Sequence, residues 1–112
     1  MMLGPQEEIL LPVLSKQYIF SDITTDVSGD PSGTAPVWAF LTDLADTPDG
    51  TATWYTGSWV SGGGPTVWKA RVLVGPSGGV VTFTVGVKYA AFVKLSASPE
   101  APIIRVGAIS VV

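Results

Sequence analysis

Two groups of aspartates have the residue type and spacing that could bind a metal ion. Asp22, Asp26 and Asp30 recur every fourth residue in a segment that contains glycine, and carboxylate and carbonyl oxygens are the ligands that Ca²⁺ prefers. The second group is Asp43, Asp46 and Asp49. Neither group has the spacing of an EF-hand loop. The sequence therefore predicts solvated acidic loops, with no metal site and no cofactor.

The same aspartates could be posed as a carboxyl pair for glycoside hydrolysis. That chemistry needs one protonated carboxyl in a dry, apolar site and a second that stays ionised, whereas aspartates in turn segments bond their own backbone. The chain also has no histidine and no cysteine, which removes the commonest general base, the commonest zinc ligand and any thiolate nucleophile. The sequence predicts no enzymatic activity and no catalytic residue.

A third candidate site is aromatic. Trp54, Tyr55 and Trp59 lie close together in the sequence, and exposed, coplanar aromatic rings can stack on sugar rings. The competing interpretation is core packing, because Trp68 falls on the buried face of its predicted strand and either Trp54 or Trp59 could fill the centre of a sandwich core. Carbohydrate binding by Trp54, Tyr55 and Trp59 is kept as the alternative function.

Length and composition indicate one domain with a substantial apolar surface. The 112 residues are 46% hydrophobic and only 13% charged, where about 25% charged is typical. We therefore expect a partner to cover part of the surface. The net charge is −3, and the basic residues are scattered singly along the predicted strands, so we expect no recognition of nucleic acid.

The N-terminal segment has two interpretations. It lacks the basic start and long apolar run of a signal peptide, and no run in the chain approaches the roughly 20 residues of a membrane span, so we expect no membrane partner. Its apolar residues around Pro5 and Pro12 could lead into the first strand, or could form an arm that docks on a neighbouring subunit. The predicted organisation is an arm over residues 1–12 and one domain over residues 13–112.

Gly and Pro clusters divide the chain into short runs typical of β-strands. The predicted strands are residues 13–20, 36–42, 52–60, 67–74, 80–85, 87–95 and 103–112. The run 67–74 alternates apolar and basic residues with the period of a half-buried strand. Gly57 predicts a bulge in the third strand. Seven such strands are typical of an all-β sandwich.

The last predicted strand is apolar on both of its faces, which indicates a central position or cover by another subunit. Together with the N-terminal segment it supplies the predicted interface. The interface residues are Ile9, Leu10, Leu11, Ile104, Val106 and Val112.

A tyrosine after a glycine bend narrows the fold class. Thr84-Val85-Gly86 is followed by Tyr89, which is typical of the corner where an immunoglobulin-like sandwich ties its chain with the tyrosine hydroxyl. Ala91 lies two residues later, where antibody domains carry a core cysteine. The predicted fold is an immunoglobulin-like β-sandwich of about seven antiparallel strands with an N-terminal arm.

The second half of the chain resembles small immunoglobulin-like proteins encoded among the virion genes of tailed bacteriophages. The resemblance rests on residues 70–79, on the Gly-x-x-Tyr corner within residues 86–95, on the Pro-Glu-Ala-Pro loop at 99–102 and on the Gly before the last strand within residues 106–111. Residues 36–43 also resemble an early strand of phage baseplate and tail modules.

That resemblance implies a structural role without catalysis. Copies of such proteins assemble with themselves and with capsid, portal, connector or tail proteins of the virion. The implied localisation is the virion, assembled in the cytoplasm of the host bacterium. The absence of cysteine agrees with assembly inside a cell.

Overall fold

The computed structural model of the chain describes residues 2–3, 8–24, 33–44, 47–48, 52–64, 67–76, 79, 81–95 and 103–112. Within these residues the regular structure is nine β-strands, with no α-helix. In chain order the strands are β1 (Met2–Leu3), β2 (Glu8–Leu11), β3 (Gln17–Thr24), β4 (Val37–Leu41), β5 (Tyr55–Thr56), β6 (Ser58–Trp59), β7 (Val67–Val74), β8 (Lys88–Lys94) and β9 (Ile103–Val111). The predicted all-β class is confirmed.

The strands form two sheets around one core. Sheet one has the order β1-β3-β7-β6, and sheet two has the order β2-β9-β8-β4-β5. Paired strands are antiparallel, except that β1 runs parallel to β3 and β2 runs parallel to β9. Both parallel pairs come from the N-terminal segment, which contributes a strand to each sheet. Residues 8–11, predicted as part of an arm, are therefore a strand of their own chain's sandwich.

The described strands differ from the seven predicted ones in four places. The N-terminal segment supplies two strands, and the predicted strand 52–60 is divided at Gly57 into β5 and β6. The predicted strand 80–85 is wrong, because its described residues make only an isolated bridge between Val81 and Val74. The first predicted strand begins too early, since Ser15 N donates to Pro12 O (2.9 Å) in a turn that precedes β3.

The core lies between the facing sides of the two sheets. Alternate residues of β3 and β7 point inward from sheet one, and β4, β8 and β9 supply the opposite side. The buried apolar residues that meet there include Ile19, Ile23, Val72, Val74, Trp38, Val93, Val106 and Ile109. This packing explains why the period-two pattern of 67–74 predicted β7 with its correct bounds.

Trp38, on β4, is the tryptophan at the centre of the core. Its side chain is 0% exposed and is the largest of the fully buried side chains, and its ring stacks on Phe40 with centroids 6.3 Å apart. The sequence analysis assigned this position to Trp54 or Trp59 and placed Trp68 on the buried face. Trp54 and Trp59 are only half-buried, because Trp54 precedes β5 and Trp59 lies on the two-residue strand β6. Trp68 does lie on the inner face of sheet one, opposite Ile23, but near the start of β7 it is only half-buried.

Gly57 is the point where the chain passes from one sheet to the other. β5 pairs with β4 in sheet two, and β6 pairs with β7 in sheet one, so the position is a crossing between sheets and not the predicted bulge within one strand. The crossing runs directly over the tryptophan. A Cβ at residue 57 would lie 2.7 Å from Trp38 Nε1 and closer still to the Arg71 carbonyl oxygen. Only glycine fits this approach of backbone to indole.

We expect Gly57→Ala to lower the free energy of unfolding by about 1–3 kcal/mol, because the added methyl group would displace the indole or the β7 backbone. Gly33→Ala is the matched control, since a Cβ at Gly33 would meet nothing within 4 Å. Urea unfolding followed by tryptophan fluorescence measures both variants. Equal unfolding midpoints for the two variants would contradict the close packing at Gly57.

Candidate interaction surface

The aspartates that were considered as possible metal ligands lie mostly outside the described residues. Asp26, Asp30, Asp46 and Asp49 are not among them, whereas Asp22 is exposed on β3 and Asp43 is exposed after β4. Within the described part of the chain, no group of three or more Asp or Glu side chains is placed to hold a metal ion. Asp22 instead lies opposite Lys69 of β7 in the register of sheet one.

The three aromatic residues proposed for sugar binding do not share an exposed face. Lys94 Nζ lies 4.8 Å from the centroid of the Trp54 ring, and the Tyr55 ring lies against Phe40, with centroids 6.1 Å apart. Trp59 belongs to the other sheet, packs against the core and donates from Nε1 to the Thr34 carbonyl oxygen at 2.9 Å. These contacts do not build the coplanar platform that sugar stacking requires, so the geometry does not support the alternative function.

The outer side of sheet one carries both charged and apolar residues, and a cavity lies at its edge. The open cavity has a volume of about 340 Å³ and is lined by Asp22, Lys69, Val67 and the loop 60–63. Nearby, the Arg71 guanidinium lies 4.5 Å from the centroid of the Tyr18 ring, and its Nε donates to Ser58 Oγ at 2.9 Å. The Arg71 side chain on this side of the sheet is therefore held by contacts within the molecule.

Tyr89 closes the corner between residues 83–87 and β8. Thr84 N donates to the Tyr89 hydroxyl oxygen at 3.0 Å, and the Tyr89 ring packs on Phe83 with centroids 4.7 Å apart. Gly86 adopts a φ of 82°, which glycine takes without strain. The Tyr89 hydroxyl therefore joins the start of β8 to the backbone five residues earlier.

The corner before β8 also forms backbone hydrogen bonds with the end of β9. Gly86 N donates to Val111 O (2.8 Å), and Val111 N donates to Val87 O (3.1 Å). On the other side of β9, Val13 N donates to Val112 O (2.8 Å), and Val112 N donates to Leu11 O (2.9 Å). Three backbone segments, residues 10–14, 85–87 and 111–112, are thereby fixed side by side.

Large apolar side chains project to solvent from these three segments. Leu10 is 60% exposed, Leu14 83%, Val85 59% and Val112 55%. We call these four residues the apolar edge surface. Isolated exposed apolar residues are ordinary on a protein surface, but several of them on neighbouring segments indicate a site of protein contact.

The structure corrects the predicted interface. Leu10 and Val112 are exposed as expected, whereas Leu11 and Val106 are buried in the core and do not reach the surface. Ile9 and Ile104 are half-buried and pack against the core. A continuous apolar run does not show which of its alternate residues point inward, so the exposed and the buried residues were predicted to share one role. Leu14 and Val85 were missed because the sequence analysis placed them in the predicted strands 13–20 and 80–85, whereas each lies in a turn.

Comparison with known proteins adds no relative. The chain matches no protein-family model, no curated protein and no solved structure. In the described residues, no helix has the length and apolar character needed to cross a membrane. The fold and the surface just described therefore carry the functional inference.

We expect Tyr89→Phe to lower the free energy of unfolding by about 0.5–1.5 kcal/mol, because it removes one hydrogen bond and leaves the ring contact in place. Tyr55→Phe is the matched control, since the Tyr55 hydroxyl makes no hydrogen bond within the described residues. Thermal or urea unfolding of both variants measures the difference. A loss of the same size in Tyr55→Phe would show that the Tyr89 hydroxyl contributes nothing specific.

Proposed function

We propose that this protein is a non-enzymatic structural subunit of a tailed-bacteriophage virion, and that it acts through contacts with copies of itself and with capsid, connector or tail proteins. The observation that carries the proposal is the apolar edge surface, where four large side chains stand exposed on adjoining backbone segments. The absence of histidine and cysteine from the sequence supports a role without catalysis.

We further propose that the sandwich has immunoglobulin-like topology. The strands β3, β7 and β6 correspond to B, E and D of such domains, and β9-β8-β4-β5 corresponds to G-F-C-C′. β1 lies at the strand A position but runs parallel to β3, whereas strand A of such domains is antiparallel to strand B. Trp38 then occupies the strand C position of the central tryptophan, and Tyr89 lies near the start of strand F, at the E–F corner. Ala91, buried against the core, stands where a disulfide-linked domain has its second cysteine.

The free energy that four apolar side chains can contribute limits the strength of a single contact through the apolar edge surface. Complete burial of an exposed Leu or Val side chain contributes about 1.5–3 kcal/mol, whereas association costs about 4–15 kcal/mol in lost translational and rotational freedom. A single contact through four such residues is therefore weak. Repeated contacts within a ring or lattice raise the apparent affinity without further chemistry, which suits a subunit present in many copies.

The solution mass tests self-association. Light scattering coupled to size exclusion, over a range of protein concentrations, is expected to show species heavier than the 11.6 kDa single chain. The double variant Leu14→Ser with Val85→Ser should shift the population toward that mass, because it makes the exposed surface polar without touching the core. Val67→Thr is the control, since Val67 is 47% exposed but lies on sheet one.

A single-chain mass at every concentration would contradict self-association, and an unchanged oligomer in the double variant would remove the apolar edge surface from the interface.

Membership of a virion needs a separate measurement. Mass spectrometry of purified particles, produced from a genome that encodes the chain, is expected to detect it among the particle proteins in a fixed ratio to the capsid protein. Its absence from purified particles would contradict the virion assignment and leave the self-association result untouched.

A further inference from the structure

We propose that the free edge of β2 is a self-pairing edge, at which β2 of a second copy adds antiparallel and continues sheet two across the two subunits. This inference rests on the self-association proposed above and specifies its geometry. Three features of β2 support the proposal. They are the direction of its backbone N–H and C=O groups, the exposed side chain of Leu10 and the position of Pro12 directly after the strand.

The backbone N–H and C=O groups of Leu10 point away from β9, the strand that β2 pairs with. Leu11 O accepts from Val112 N, and Val13 N donates to Val112 O, so the odd-numbered residues of this segment bond β9. Along a strand, consecutive residues direct their N–H and C=O groups to opposite sides. The N–H and C=O of Glu8 and Leu10 therefore point to the edge of sheet two where, among the described strands, nothing pairs with β2.

The β2 edge is the best suited of the sheet edges that the structure describes. β1, β5 and β6, which form the other three edges, are two residues long, whereas β2 has four residues. Edge strands that are open and apolar are templates for pairing with another chain. Leu10 stands exposed over this edge on the outer side of sheet two, beside Val112 of the apolar edge surface.

Residue types select an antiparallel register centred on Leu10. A two-fold axis perpendicular to the sheet places Leu10 opposite Leu10 of the second copy, so that their backbones exchange both hydrogen bonds and their side chains meet on one face. The same register places Glu8 opposite Pro12. Pro12 has no N–H to donate, but its carbonyl oxygen can accept from Glu8 N, and the proline blocks extension beyond that point.

Cysteine cross-linking tests this geometry directly, because the chain has no cysteine of its own. Residues in a hydrogen-bonded antiparallel pair have Cα atoms about 5.5 Å apart, within the range of about 4.4–6.8 Å that a disulfide spans. We expect Leu10→Cys to form a covalent dimer under mild oxidation at concentrations where the wild type associates.

Two control variants define the register. Glu8→Cys is on the same strand and face, but in the proposed register the two Glu8 positions are separated by about four residues of strand, on the order of 13 Å, so it should not cross-link. Val67→Cys, exposed on sheet one, reports random collision. Cross-linking of Glu8→Cys as fast as Leu10→Cys would overturn the antiparallel register, and equal rates for Leu10→Cys and Val67→Cys would overturn the edge contact.

Amide hydrogen exchange tests the backbone pairing in the unmodified protein. We expect the exchange of the Glu8 and Leu10 amides to slow at least about tenfold in the associated state relative to diluted monomer, while the Leu11 amide, which faces β9, changes much less. Unchanged exchange at Leu10 in a protein that does associate would overturn β2 pairing but leave the proposed self-association standing. A wild-type chain that stays monomeric would overturn both.

Discussion

The indole of Trp38 lies between the two sheets, and the surrounding chain is arranged to cover it. Val93 and Tyr55 flank it in the register of sheet two, Phe40 stacks on it, and Gly57 lets the backbone cross from sheet two to sheet one directly above it. Within the described residues its Nε1 has no hydrogen-bond partner, so apolar contact must offset the burial of that polar group. A side chain at residue 57 would separate the sheets at this point.

The second organising contact lies at the end of β9. Tyr89 fixes the corner, the corner bonds Val111, and Val111 and Val112 lie beside β2 and the segment after it. Because β2 pairs with β9, β2 and not the last strand forms this edge of sheet two among the described strands. Leu10, Leu14, Val85 and Val112 are exposed where these segments lie side by side. The proposed assembly uses β2, because β2 is the strand at this edge of sheet two.

Most basic side chains of the described residues make contacts within the molecule. Lys88 pairs with Glu8 at 3.4 Å on the outer side of sheet two, Lys94 lies over Trp54, Arg71 contacts Tyr18, and Arg105 Nη1 donates to Leu44 O at 2.9 Å. The exposed Lys88–Glu8 pair contributes little to stability, about 0–1 kcal/mol. These dispersed contacts do not form the basic patch that a phosphate-rich partner requires, whereas the apolar residues do cluster at one edge.

Alternation and turn residues act over a few neighbouring positions, so the sequence predicted the all-β class, the bounds of β7 and the approximate positions of β4, β8 and β9. It placed Leu10 and Val112 at the surface, but Leu11 and Val106 with them. The central position of Trp38, the change of sheet at Gly57 and the place of Leu14 and Val85 in the apolar edge surface emerge from the three-dimensional structure alone. Alternation of residue types along a strand indicates which side chains share a face. Whether that face is buried depends on pairing between segments distant in the sequence, such as β2 with β9.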